Sequence, residues 1–139
     1  MNKLGALFSA VIICASFPVQ ANDKLDAFAQ DIIHVFASGD TKQYMGILHP
    51  DCPKPNPDRL AWQMSKTWIA DKVDIRFKDV ASSYDRTKLD FAVEPESVIE
   101  FQVWTIDSNG EKSELVTSYP FAAHETGFKI LDYPCFKPK

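Results

Sequence analysis

The stretch SVIEFQVWTIDSNGEKSELVTSYPFAAHE, Ser97 to Glu125, decides the architecture. In its first half Ile99, Phe101 and Val103 alternate with Glu100, Gln102 and Trp104, the two-residue period of a strand with one buried face. The run Asp107-Ser108-Asn109-Gly110-Glu111 then interrupts the pattern, and Asn-Gly is a pair that tolerates the positive φ of a tight hairpin turn. The second half reads as the returning strand. A long antiparallel hairpin is therefore the centre of the chain.

Other strands lie on either side of it. VDIRFKDV places Val73, Ile75 and Phe77 on one face, with Asp74, Arg76 and Lys78 on the other. KLDFAVE alternates through Leu89, Phe91 and Val93, and GFKILDYP is a last strand that pairs back through a turn near Thr126-Gly127. The N-terminal part has a different period. In NDKLDAFAQDIIHVFASGD, Leu25, Phe28, Ala29, Ile32, Ile33 and Phe36 recur at three- and four-residue steps, as on one helix face, and Gly39 stops the helix. Asp40 caps a short second helix, TKQYMGILH, with Tyr44, Ile47 and Leu48 on one side. Asp58 is expected to cap a third, RLAWQMSKTWIADK, with Leu60, Ala61, Met64 and Trp68 inward and a second ridge of Trp62 and Ile69. The expected fold class is α+β: three N-terminal helices on one face of an antiparallel sheet of four to six strands.

Residues 1–21 read as a cleaved export signal. Lys3 precedes an apolar run from Leu4 to Phe17, Pro18 breaks it, and Val19 and Ala21 fit the small-residue cleavage positions. The run is short for a bilayer span, and Ile13 before Cys14 argues against a lipid-attachment site. Cleavage leaves residues 22–139 as a single domain, with the net charge moved from −4 to −5 by loss of Lys3. A mildly acidic domain with no basic run points away from nucleic acid and, once the leader is gone, from membranes. Cys14 departs with the leader. Cys52, in the proline-rich loop HPDCPKPNPD (His49–Asp58), and Cys135 then remain, and in an exported chain two cysteines favour one disulfide. Closing a loop of that length removes about 4–5 kcal/mol of unfolded-state entropy in the chain-entropy model.

The helix ending in Ser38-Gly39-Asp40, the short helix ending in ILHPD (Ile47–Asp51), the third helix and the sheet after it resemble the nuclear transport factor two-like superfamily, the cystatin-like α+β cone. The resemblance covers nearly all of the mature chain. It implies a cone whose mouth opens between the helices and the concave sheet face, and a homodimer through the sheet. Some such proteins are enzymes and many are catalytically silent. The steroid-isomerase chemistry of that superfamily needs a base and two proton donors around an oxyanion. In that relative a tyrosine lies eight residues before the Asp of the Gly-Asp pair, and here Ile32 holds the place. Its buried acid, two residues after a proline, corresponds to Ala122 after Pro120. That mechanism is not expected.

Other chemistry is sparse. His34 points away from the apolar face of its helix. His49 and Asp51 flank the loop without a third ligand at useful spacing, and His124 and Glu125 sit at a turn, so no metal or cofactor is expected. A bonded Cys52 cannot serve as a thiolate nucleophile. Tyr44, Trp68, Phe101 and Phe121 could line a cone or simply fill it, and a lining of this kind suits a small apolar ligand. Glu100 and Trp104 on the outer sheet face, with Trp62, are the candidates for a protein-partner surface. The leading expectation is an exported, non-catalytic domain that binds a small apolar ligand or a protein partner of the bacterial envelope, in the periplasm or outside the cell. Two alternatives stay open: a periplasmic inhibitor or immunity-type protein acting through a surface, and a cyclase- or hydrolase-like enzyme with a pocket acid such as Asp90.

Overall fold

A computed structural model describes residues 19–139. Most of the expected export signal, including Cys14, lies outside the described residues. Helix α1 spans Val19–Ser38. It buries Phe28, Ala29, Ile32, Ile33, Val35 and Phe36, so the apolar stripe read from the sequence is its inner face. Gly39, at φ +71°, ends it and donates its N–H to the Val35 carbonyl at 3.1 Å. Asp40 caps α2 (Thr41–Ile47) by accepting from the Lys42 N–H at 2.9 Å.

The third helix departs from the expected one. Helix α3 is only Pro57–Gln63, and its cap is Asn56, not Asp58: the Asn56 side chain accepts from the Arg59 N–H at 2.8 Å. Proline lacks an N–H and has its φ preset, so Pro57 suits the first helical position and leaves the cap to the residue before it. The segment expected to continue the helix is instead the start of strand β1, Thr67–Lys78. Ser65 Oγ donates to the Trp62 carbonyl at 2.8 Å where the helix ends. Beyond it, Thr67 and Trp68 pair with Ile106 and Thr105. Helical spacing of Leu60, Met64 and Trp68 loses here to cross-strand pairing, which aromatic and β-branched residues favour.

A one-turn helix α4 (Val80–Ser83) follows, a fourth helix not read from the sequence. Strands β2 (Leu89–Phe91), β3 (Ser97–Ile106), β4 (Lys112–His124), β5 (Gly127–Ile130) and β6 (Phe136–Pro138) complete the chain. The main sheet is antiparallel, with order β1-β3-β4-β5. The β3–β4 hairpin turns at Gly110, φ +80°, and keeps one register from Ser97↔Phe121 to Ile106↔Lys112. KLDFAVE does not join this sheet. Its Leu89–Phe91 pairs with β6, a C-terminal strand the sequence reading lacked, in a separate two-stranded sheet.

That register puts Ile99, Phe101, Val103 and Thr105 of β3 on the face beneath α1, together with Tyr119 and Phe121 of β4. Phe36 is the hub of this core. It stacks on Trp68 at 4.6 Å and Tyr119 at 5.8 Å between ring centroids, with Tyr44 edge-on at 5.7 Å. Each such pair contributes about 0.5–1.5 kcal/mol beyond the area it buries. The opposite face is not left bare, because the chain that follows β5 covers part of it. There Ala122, Leu131, Val93 and the Cys52–Cys135 disulfide form a second, smaller core. The uncovered part carries Trp104 and Val116, 41% and 60% exposed.

The disulfide joins positions 83 residues apart, and among the described residues no helix is long and apolar enough to cross a membrane. Replacing both cysteines, Cys52→Ser with Cys135→Ser, is expected to lower the unfolding free energy by about 2–5 kcal/mol. Equilibrium denaturation measures this, and a reducing agent should destabilise the parent chain by a similar amount while leaving the double variant unchanged.

Candidate functional site

Three polar side chains meet at the end of the aromatic core nearest α3. Asp132 follows β5 and is 6% exposed. Its carboxylate accepts from the Tyr44 hydroxyl of α2 in a short hydrogen bond, from Arg59 Nη2 of α3 at 3.4 Å and from the Tyr133 N–H at 2.8 Å. One turn after Arg59 on α3, Gln63 Nε2 donates to the Tyr119 hydroxyl at 3.0 Å. Residues four apart share a helix face, so α3 presents Arg59 and Gln63 together to the buried tyrosines. Burial pushes the Tyr44 phenol well above its usual range, and the neighbouring Asp132 charge adds to the effect. Tyr119 moves the same way, again first by burial and then by Asp132. Both are neutral hydroxyl donors at ordinary pH.

Beside this network lies a cavity of about 190 Å³. Phe36, Trp68 and Leu115 form its apolar wall, Thr117 and Tyr119 its sheet side, and Trp62, Gln63, Ser65 and Lys66 the edge formed by α3 and the chain leaving it. At the surface next to it, the Arg59 guanidinium lies 4.5 Å from the centroid of the Trp62 ring and 5.2 Å from that of Tyr133. These rings are 63% and 44% exposed. Arg59 Nε is buried with no hydrogen-bond partner. A second hollow of about 450 Å³ borders the disulfide and is lined by His49, Cys52, Lys54, His124 and Lys129, among others.

The four aromatic residues expected at a pocket occupy different places. Trp68 lines the 190 Å³ cavity. Tyr44, Phe101 and Phe121 are 0–2% exposed and pack within the core. Of the surface candidates, Trp62 and Trp104 are exposed, while Glu100 is largely covered and accepts from Lys78 Nζ at 3.0 Å. Ile69, expected beside Trp62 on a helix, is on β1 instead. His34 is exposed. His49 is buried, and its Nδ1 accepts from the Asp51 N–H at 3.1 Å, a turn contact; its ring meets that of His124 edge-on, 5.1 Å between centroids. His124 and Glu125 lie at the β4–β5 turn as expected, and no group of three or more metal-ligating side chains occurs among the described residues. Ile32 and Ala122 are buried, Ala122 in the second core rather than the first.

Asp90, named as a pocket acid, stands exposed on β2, and the acid at the buried site is Asp132. A signal for it exists in the two-residue period: Phe128, Ile130 and Asp132 share one side of the last strand's register. Likewise Leu115, Thr117, Tyr119 and Phe121 alternate inward. No spacing rule joins Tyr44 or Arg59 to Asp132, since they lie 88 and 73 residues away.

No family model, no curated protein and no solved structure matches the chain.

A tyrosine whose folded pKa stands above its unfolded value contributes stability that is complete below pH 10 and is lost as the pH climbs toward the folded value. The unfolding free energy is therefore expected to fall above pH 10 by about 1.4 kcal/mol per pH unit for each of Tyr44 and Tyr119. Tyr44→Phe should lower stability at pH 7 by about 1.5–3 kcal/mol, the loss of a hydrogen bond to a charged acceptor, and flatten the alkaline slope. Denaturant titrations across pH 7–11 check both.

Proposed function

We propose that the protein is an exported domain that binds a small ligand in the cavity between α3 and β4, without catalysing its conversion. Export is supported by the signal-like leader and the Cys52–Cys135 bond. The order of helices before an antiparallel sheet agrees with the nuclear transport factor two-like reading of the fold, in which this cavity would stand at the mouth of the cone. The observation that carries the proposal is the cavity itself, apolar on the Phe36, Trp68 and Leu115 side and polar at Tyr119, Gln63 and Lys66. A few polar groups placed on an apolar wall are the usual makeup of a ligand site. At about 190 Å³ it is smaller than sites for drug-sized molecules, so the ligand is small. A binding role suits Asp132, whose carboxylate is held by three protein donors rather than aimed at the cavity. Thermal unfolding in the presence of a library of small aromatic and aliphatic compounds tests this reading. Some members should raise the melting temperature of the parent chain and not that of Leu115→Trp, which fills the cavity. If no compound shifts the parent chain, the reading fails.

The stacked Arg59, Trp62 and Tyr133 favour a second reading, in which the protein works as an inhibitor or partner-binding protein through that face. Tryptophan, tyrosine and arginine are the residues enriched at binding hot spots, and here they lie together on the surface. A photo-cross-linking residue at position 62, in cells that export the protein, should then trap a specific protein adduct that Tyr133→Ala abolishes. The same residue at position 104 should not trap it. No adduct at 62, or identical adducts at both positions, defeats this alternative.

A further inference from the structure

The charge and hydrogen-bond balance of the cavity narrows what can occupy it. No carboxylate lines it, and Lys66 at its edge belongs to no ion pair among the described residues. Asp132 stands behind Tyr119, but its charge is already matched by Arg59. The uncompensated charge facing the cavity is therefore positive. Tyr119 receives its hydrogen bond from Gln63, which leaves the phenol proton to be placed. The Thr117 side chain also bonds the phenol, so Gln63, Tyr119 and Thr117 form one chain whose two internal bonds use two of its four N–H and O–H groups, and a donor remains for an occupant. Burial keeps the Tyr119 phenol protonated, and so able to donate. Trp62 and Leu115 belong to the same lining.

We infer that the cavity takes a small monocarboxylic acid with a flat apolar body, its carboxylate between the Lys66 ammonium and the Tyr119–Gln63 donors and its body against Trp62 and Leu115. This rests on the small-ligand reading above and assigns the chemical class of that ligand. A carboxylate uses both features at once: the ammonium supplies charge and the buried donor supplies direction. A neutral amide of the same shape keeps the apolar contacts and loses the charge. An amine of the same shape meets Lys66 with like charge.

The test titrates the full chain with phenylacetate, phenylacetamide and phenethylamine, following tryptophan emission and the heat of binding. Phenylacetate should bind about tenfold more tightly than the amide, a difference of the size of one charge-assisted hydrogen bond, and the amine more weakly than either. Lys66→Met should bring the acid down to the affinity of the amide while leaving the amide unchanged. Lys66 is exposed, so this variant should fold as the parent does. Raising the salt concentration should weaken only the acid. If the amide binds as well as the acid, or Lys66→Met keeps the preference, the acid assignment is overturned and the small-ligand reading stands. If the acid still binds Leu115→Trp, it binds elsewhere and the assignment is overturned. If none of the three binds the parent chain, the assignment is overturned, and the compound library then decides the broader reading separately.

Discussion

The carboxylate of Asp132 is the point on which the described architecture turns. It is buried, and a buried charge is tolerated only where donors replace the water it has lost. Those donors come from α2 through Tyr44, from α3 through Arg59 and from the backbone at Tyr133. Three parts of the chain far apart in sequence are thus brought to one place by one group. A well-packed apolar replacement could be as stable, because the desolvation of a buried ion pair offsets much of its attraction. What such a pair does contribute is position. α3 has no buried residue; Leu60 and the C-cap residue Met64 pack against the core, and Arg59 and Gln63 make polar contacts inward. The placement of α3 defines one edge of the cavity, so the site depends on Asp132 without that residue lining it.

A second constraint acts from the other side of the sheet. A four-stranded sheet with helices on one face would leave the opposite face to solvent. Here the segment after β5 folds back, and Cys135 bonds Cys52 over Ala122 and Leu131. The Cys135 carbonyl accepts from the Ala92 N–H at 2.7 Å, and β6 pairs with β2. The bridge lies only three residues beyond Asp132. The covalent tie and the buried carboxylate therefore hold the same C-terminal turn, one against the outer face and one against the interior. The two supports reinforce each other because neither leaves that turn free to move away from the sheet.

These constraints bear on function through what they leave open. The core beneath α1 is filled by rings packed on rings, and beside it a hollow opens where α3 meets the sheet. At that place the chain exposes a tryptophan, a tyrosine and two cationic side chains around a small hollow. With Asp132 paired to Arg59, Lys66 is the charged residue of the lining, in no ion pair among the described residues. The polarity of the hollow thus follows from the same network that positions its wall.

Much of the fold was legible in local pattern. The helical stripe of α1, the caps at Gly39 and Asp40, the Asn109-Gly110 hairpin and the alternation of β3 and β4 all arise from interactions between residues close in sequence, and these the residue order determined by itself. The pairing of Cys52 with Cys135 was also legible, because reading residues 1–21 as a leader sets Cys14 aside and leaves two cysteines. Only the tertiary structure decided that the strand begins at Thr67, within the expected helix, rather than at Val73, that β2 leaves the main sheet to meet β6, and that Asp132 rather than Asp90 is the buried acid. Each of these turns on contacts between distant parts of the chain. Trp68 fits the helical spacing of Leu60 and Met64 and lies an odd five residues from Val73, and its place in the strand needs the register shift that pairing with β3 provides. Asp132 is one carboxylate among many until Tyr44 and Arg59 arrive, since burial and partners, not residue type, separate a working carboxylate from a solvated one.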